Sequence, residues 1–304
     1  VALADWSRGL TPTTVKGLAM APAQILIVFV LAIGQLFSAD AVASSCDMDS
    51  SDTLATSIAA YQDCIDRGHQ MVTNVRAELG VAAFRQKDYE TAALHFSEII
   101  EQEDQPAKAH FNRALAYFEL GKKRKALKDL EATSEILPAY TPAHFYRGVV
   151  LHQLRRYQQA VDAQNVALSL SVGGTALAPI YFEKSQSELA QRNKTASLES
   201  LNNAIAADPM YSQAFFARAL QHEKNGANEL AIADYGEYLK QQPESAHAYY
   251  NRGLIYQSMH RDHLAIQDFN KALAVNPRYL KARASKGITY LWPVLPVLLI
   301  LLLG

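Results

Sequence analysis

From residue 73 onward, apolar side chains recur at intervals of three and four, the spacing that gathers them on one face of a helix. Turn signals such as Leu120-Gly121, Asn225-Gly226 and Gln241-Gln242-Pro243 interrupt the pattern. Further breaks fall at Leu137-Pro138, Asp208-Pro209 and Asn276-Pro277, where proline cannot carry a helix onward. The pattern also repeats itself. HFNRALAY at 110–117 returns as HFYRGVVL at 144–151, FFARALQH at 215–222 and YYNRGLIY at 249–256. Phe111 to Phe145, Phe182 to Phe216 and Phe216 to Tyr250 are each 34 residues apart, and Phe145 to Phe182 is 37. A fixed period with two helical stretches per unit predicts a stack of helical hairpins, each burying its apolar face against the next.

Two columns of small residues say how the hairpins close. Gly80, Ala114, Gly148, Ser185, Ala219 and Gly253 form one, and Ala92, Ala126, Ala160, Ser197, Ala231 and Ala265 form the other, twelve residues later. Facing each other across a hairpin, they let two helix backbones approach. Tyr117, Tyr256, Phe96, Tyr235 and Phe269 are expected to fill the flanking space.

With Tyr249, Gly253, Tyr256, Ala265, Phe269, Ala272 and Pro277 in register, the last full unit resembles the tetratricopeptide repeat family. Six in-phase units carry the resemblance: 73–106, 107–140, 141–174, 178–211, 212–245 and 246–279. It implies an all-α, right-handed α–α superhelix whose first helices line a concave groove. Residues 54–69 read as an unmatched second helix within an N-terminal segment, 44–72, and 280–290 as the first helix of a partial seventh repeat. Some units depart from the pattern. Glu188 stands where tyrosine is favoured and Gln164 where a large apolar residue is; between them lie Gly173-Gly174 and the inserted Thr175-Ala176-Leu177. The seam between the third and fourth units is therefore expected to be the weakest, as a joint, an entry for a ligand segment, or a tolerated insertion.

The chain's ends differ from its middle. Ile25 to Ile33 is unbroken apolar sequence, preceded by Arg8 and Lys16 and followed by Ala41-Val42-Ala43 and four aspartates. That layout predicts a secretory signal over 1–43; extension of the run through Phe37 would make it a membrane anchor instead. Both readings send the remainder across a membrane, to a periplasmic or extracellular side. Residues 291–304 form an apolar, proline-broken tail, read as a membrane contact, a removed anchor signal or a wrongly ended reading frame. Cys46 and Cys64 follow the export signal; they either pair across a short loop or remain free thiols.

Composition adds mostly exclusions. A net charge of −1 gives no electrostatic case for nucleic acid. No nucleophile elbow, phosphate loop or zinc-protease helix is present, so no catalytic role and no cofactor is expected. His260 and His263 share metal-like spacing but lack further ligands, and the run KKRK at 122–125 reads as a solvated turn. Asn193-Lys194-Thr195 has the form of a glycosylation acceptor on an inter-helix turn.

Two columns remain for chemistry. Arg113, Arg147, Lys184, Arg218 and Arg252 sit one residue before the small column, and Asp129, Asp234 and Asp268 are the expected partners across the hairpin. Phe111, Phe145, Phe182, Phe216 and Tyr250 precede the basic column by two residues. The resemblance places that slot in the groove, as a track of rings for a protein or peptide partner with Asn112 and Asn251 beside it; the alternative is packing against the neighbouring unit. Some members of the family clamp a partner's terminal carboxylate. Lys108 and Asn112 match part of one unit's share, but Glu78, Pro142 and Tyr146 do not continue it. The expected function is an exported, non-catalytic scaffold holding a partner segment in its groove, or else a membrane-tethered assembly factor contacting the membrane through 25–37 and 291–304.

Overall fold

The computed structural model of the chain describes Gly68 and residues 72–291. The signal or anchor, the helix expected at 54–69, Cys46, Cys64 and the tail beyond 291 lie outside the described residues. Packing divides the chain into two units after Leu79. The first unit contributes the start of helix α1, residues 72–85, and the second holds the remainder of that helix and every later one.

Helices follow one another without a strand among the described residues: α2 (Tyr89–Gln102), α3 (Ala107–Glu119), α4 (Lys123–Ile136), α5 (Thr141–Gln153), α6 (Tyr157–Leu170), α7 (Leu177–Ala190), α8 (Lys194–Ala207), α9 (Ser212–Lys224), α10 (Asn228–Gln241), α11 (Ala246–Ser258), α12 (Asp262–Val275) and α13 (Leu280–Leu291). From α3 onward each first helix packs along its own second helix, and from α2 onward each second helix packs against the next first one. The result is an all-α repeat superhelix.

The hairpin corners repeat as faithfully as the helices. Lys87, Gly121, Arg155, Arg192, Gly226 and His260 all take positive φ, between 55° and 72°, at the same place in each repeat. At the corner of α3 and α4 the Gly121 amide donates to the Phe118 carbonyl and the Lys122 amide to that of Tyr117. This left-handed stop satisfies carbonyls that the helix end leaves over. The KKRK run is mostly not turn: Lys122 precedes α4, while Lys123, Arg124 and Lys125 form its first residues. Lys125 lies over the Tyr117 ring, 5.4 Å from its centre.

Both small columns are buried, and Ala92, Ala126, Ala160, Ser197, Ala231 and Ala265 are wholly inaccessible. The residue four places after each of these fills the space between the hairpin's two helices: Phe96, Leu130, Gln164, Leu201, Tyr235 and Phe269, all at 0–1% exposure. Size is matched across the gap in the first, second and sixth units, while the fifth sets Tyr235 against Ala219. Opposite Gly80 and Gly253 stand phenylalanines so close that an added Cβ would meet their rings at 2.8 and 2.7 Å. Opposite Ala114 stands the smaller Leu130.

The insertion does not part the third and fourth units. Residues 171–176 loop out through Gly173 and Gly174, both at positive φ, and expose Val172 fully. Beneath the loop Ala163, Ala167 and Ala178 are inaccessible, and His152 Nδ1 meets Ser187 Oγ at 3.1 Å across the seam. The irregularity lies inside the third hairpin instead. Both amide atoms of Gln164 are buried without a hydrogen-bond partner. Leucine at this place, as in the second and fourth units, removes that desolvation cost. Gln164→Leu is expected to raise stability by about 1–3 kcal/mol, seen as a higher urea midpoint at unchanged slope.

Candidate functional site

The basic column is a set of cross-hairpin clamps. Arg113 donates through Nε to Asp129 Oδ2 at 2.8 Å and through Nη2 to Oδ1 at 2.7 Å. Arg218 grips Asp234 in the same fork at 2.8 and 2.7 Å, and Arg252 grips Asp268 at 2.7 and 2.9 Å. The three aspartates are buried, so each carboxylate needs its guanidinium, and the planar fork supplies two charge-assisted bonds at once. That bond to Asp129, outweighing the cost of burial, holds the Arg113 pKa above its ordinary value. Sixteen residues on from Arg147 stands Ala163, and the Arg147 Nε is buried with no partner. In the fourth unit the pairing is rewired: Lys184 lies 3.7 Å from Glu188, which accepts from Ser200 at 2.7 Å. The forks of Arg113, Arg218 and Arg252 hold helices together and are spent on that task.

The aromatic column is not uniform. Phe111 is buried, with Tyr140 and Tyr146 edge-on at 5.2 and 5.8 Å, so its ring belongs to the core between the second and third units. Phe145, Phe182, Phe216 and Tyr250 are half-buried. Phe182 meets Tyr211 at 5.6 Å and Tyr250 meets Tyr279 at 5.2 Å, while Phe216 turns to Tyr235 and Tyr238 on its own hairpin. Tyr140, Tyr211 and Tyr279 each stand 29 residues after their ring, just ahead of the next first helix. That spacing was visible in the sequence, and it marks a lid of one ring upon another that the ring column alone does not reveal. Gly174 occupies the corresponding place for Phe145, whose one ring contact is its chain neighbour Tyr146, at 5.2 Å.

The asparagines diverge too. Asn251 donates to the Tyr235 hydroxyl at 3.2 Å, and that hydroxyl donates to Glu223 at 3.0 Å, tying α11 to α10 and α9. Burial is the first cause pushing the Tyr235 pKa up, Glu223 the next, so the phenol stays neutral and keeps its proton to donate. Asn112 is half-buried beside exposed Lys108, with Pro142 and Tyr146 in the corresponding slots of the next unit. Tyr146 lies edge-on to Phe111, and no second cation on α5 joins Lys108 to hold a terminal carboxylate. Burial also raises the Glu183 pKa, and raises that of Tyr211, to which the Glu183 charge adds.

His260 occupies the left-handed corner before α12, and among the described residues no three His, Cys, Asp or Glu side chains gather to hold a metal ion. Asn193 caps α8, its side chain accepting from the Ala196 amide at 3.2 Å, with Lys194 and Thr195 exposed beside it. Among the described residues no helix is long and apolar enough to cross a membrane.

Comparison with known proteins agrees with this architecture. Two patterns described as tetratricopeptide repeat match residues 246–279 and residues 77–141, 111–174 and 182–238, the latter alone about half of the chain. The chain is 32% identical over 91 residues to the Hsp70-Hsp90 organizing protein 1 of Glycine max, covering 30% of this chain and 16% of that protein. It is 29% identical over 185 residues to the Hsp70-Hsp90 organizing protein 1 of Arabidopsis thaliana, covering 55% of this chain and 29% of that one. It thus spans less than a third of the length of either. Among solved structures, the type IV pilus biogenesis factor PilW superimposes with a TM-score of 0.62 at 18% identity, over 70% of this chain and 98% of its own. YrrB, described as having an unusual peptide-binding site, gives 0.51 at 20% identity, over 63% and 97%. At these identities the likeness is one of fold.

Proposed function

The chain belongs to the tetratricopeptide repeat family, and from that premise we propose that it is a non-catalytic scaffold whose first helices hold an extended segment of a partner protein. The observation that carries this reading is the division within the aromatic column. Phe111 is consumed by the core, whereas Phe145, Phe182, Phe216 and Tyr250 keep part of their surface at one register of successive first helices. Half-exposed rings on a rigid frame offer apolar contact at little entropic cost, the usual make-up of an interaction hot spot. The arginine column offers no rival site, since three of its five members are bound to buried carboxylates. What carries over from the organizing proteins is only the general task of holding other proteins.

Phe145→Ala combined with Phe216→Ala is expected to weaken binding of a captured partner by about 2–4 kcal/mol, with the helical circular dichroism signal unchanged. Loss of helicity in this double variant would instead assign both rings to the core.

Export belongs to the same proposal. The basic flank, apolar run and Ala41-Val42-Ala43 support a mature chain delivered to the far side of a membrane. Sequencing the mature N-terminus tests it: a start at Ser44 is expected, and retention of residues 1–43 would leave the chain anchored or unprocessed.

A further inference from the structure

The sixth residue of each repeat unit, counted from 107, 141, 178, 212 and 246, reads Asn112, Tyr146, Glu183, Ala217 and Asn251. Tyr146 lies edge-on to Phe111, Asn251 is bonded to Tyr235, and Ala217 packs in the apolar cluster that holds Phe182 and Tyr211. Glu183 is different. It is half-buried on α7, and its carboxylate meets neither a cation nor a hydrogen-bond donor among the described residues. The neighbouring Lys184 is turned to Glu188, and Arg218 on the next first helix is held by Asp234. The fully buried acids Asp129, Asp234, Asp268 and Glu188 all have partners. Burial, raising the Glu183 pKa, disfavours the charge it carries at neutral pH.

The surroundings of this acid are aromatic. Phe182 precedes it and meets Tyr211 edge-on at 5.6 Å, and the Glu183 charge acts on Tyr211. Phe145 occupies the same slot on α5 as Phe182 on α7, and these two helices touch. Gly174 stands 29 residues after Phe145, where Phe111, Phe182 and Tyr250 have Tyr140, Tyr211 and Tyr279. Phe216, with Ser245 there, has Tyr235 and Tyr238 of its own hairpin instead, whereas Phe145 meets only Tyr146 among the rings of the described residues. A cation entering here would meet an uncompensated carboxylate in a partly desolvated setting and the faces of neighbouring rings, both attractive to it.

We propose that the groove over α5 and α7 recognises a partner segment bearing a lysine or arginine flanked by apolar residues, with Glu183 as the counter-charge and Phe145, Phe182 and Tyr211 as the wall. This rests on the groove reading above and adds its specificity. Charge complementarity carries it: the acid is built in and its cation is not.

The test is selection of random dodecapeptides on the immobilised full chain, followed by measured affinities of the recovered sequences. The wild type is expected to enrich peptides with lysine or arginine at one fixed position between apolar residues. Glu183→Gln, with its helical signal intact, should weaken them about tenfold or more, the scale of losing a charge-assisted contact. Glu183→Lys should select aspartate or glutamate at that position. Recovered peptides without a basic preference, or a basic preference that survives Glu183→Gln, would overturn the inference and leave the groove standing. Recovery of no peptide by the wild type would overturn both.

Discussion

Asp129→Ala is expected to destabilise the second hairpin by about 3–5 kcal/mol, because it strands a half-buried guanidinium rather than merely deleting a contact. Asp129 accepts from both ends of the Arg113 fork and meets His110 Nδ1 at 2.9 Å, so one truncation takes the charged partner from the guanidinium and a contact from the imidazole. The remedy separates the two costs. Arg113→Met with Asp129→Leu removes both charges together and should return most of the loss, since the attraction within such a pair largely offsets its desolvation. Denaturant melts of the single and double variants supply the measurement. A double variant as unstable as Asp129→Ala would mean that the pair contributes far more than its own desolvation costs.

Phe269→Ala should cost about 3–5 kcal/mol, the usual range for emptying a fully buried aromatic site. What distinguishes the position is its partner. Gly253 exists because the Phe269 ring fills the place where a Cβ would be, and the carbonyl of Ala265 lies 3.4 Å from that same point. Gly253→Ala alone therefore overpacks, and Phe269→Leu alone leaves a small void. The second unit already holds the matched pair of Ala114 and Leu130. Gly253→Ala with Phe269→Leu copies it and should be milder than the sum of its parts by about 1–2 kcal/mol, a coupling that thermal or urea unfolding of the four proteins would read directly. Simple additivity would mean that the two residues do not share one space.

Most of the fold was written in the period. The small columns, the prolines and the Arg-Asp spacing each express a backbone requirement that recurs every turn of the stack, and periodic requirements leave periodic residues. Arg113, Arg218 and Arg252 therefore met their partners as expected. The site was only partly legible, because binding depends on which repeats break the pattern and on what the break exposes. Phe111 and Phe145 occupy the same slot and look alike in sequence. One is sealed and the other open because of Tyr140 and Gly174, residues belonging to the connections and not to the motif. The insertion left a joint, a ligand entry and a tolerated loop open in sequence; the alanine-lined helices that close beneath an outward loop fit the last of these. The cost sits instead at Gln164, a polar residue whose amide finds nothing to bond.

The arginine forks have a third prong. Arg113 Nη1 donates to Ser97 on α2 at 2.9 Å and Arg218 Nη1 to Asn202 on α8 at 2.7 Å, so these two guanidiniums each rivet a hairpin to its predecessor. Arg252 extends Nη1 toward the same place on α10 and finds Gly236, which has no side chain to receive it. Cooperativity is accordingly uneven along the rod. Heat or force is expected to travel through the arginine rivets in the second and fifth units, whereas the sixth unit is coupled to its predecessor through Asn251 and the Tyr235 hydroxyl, so Asn251→Ala should uncouple that unit more than the corresponding change at Asn112 does in the second.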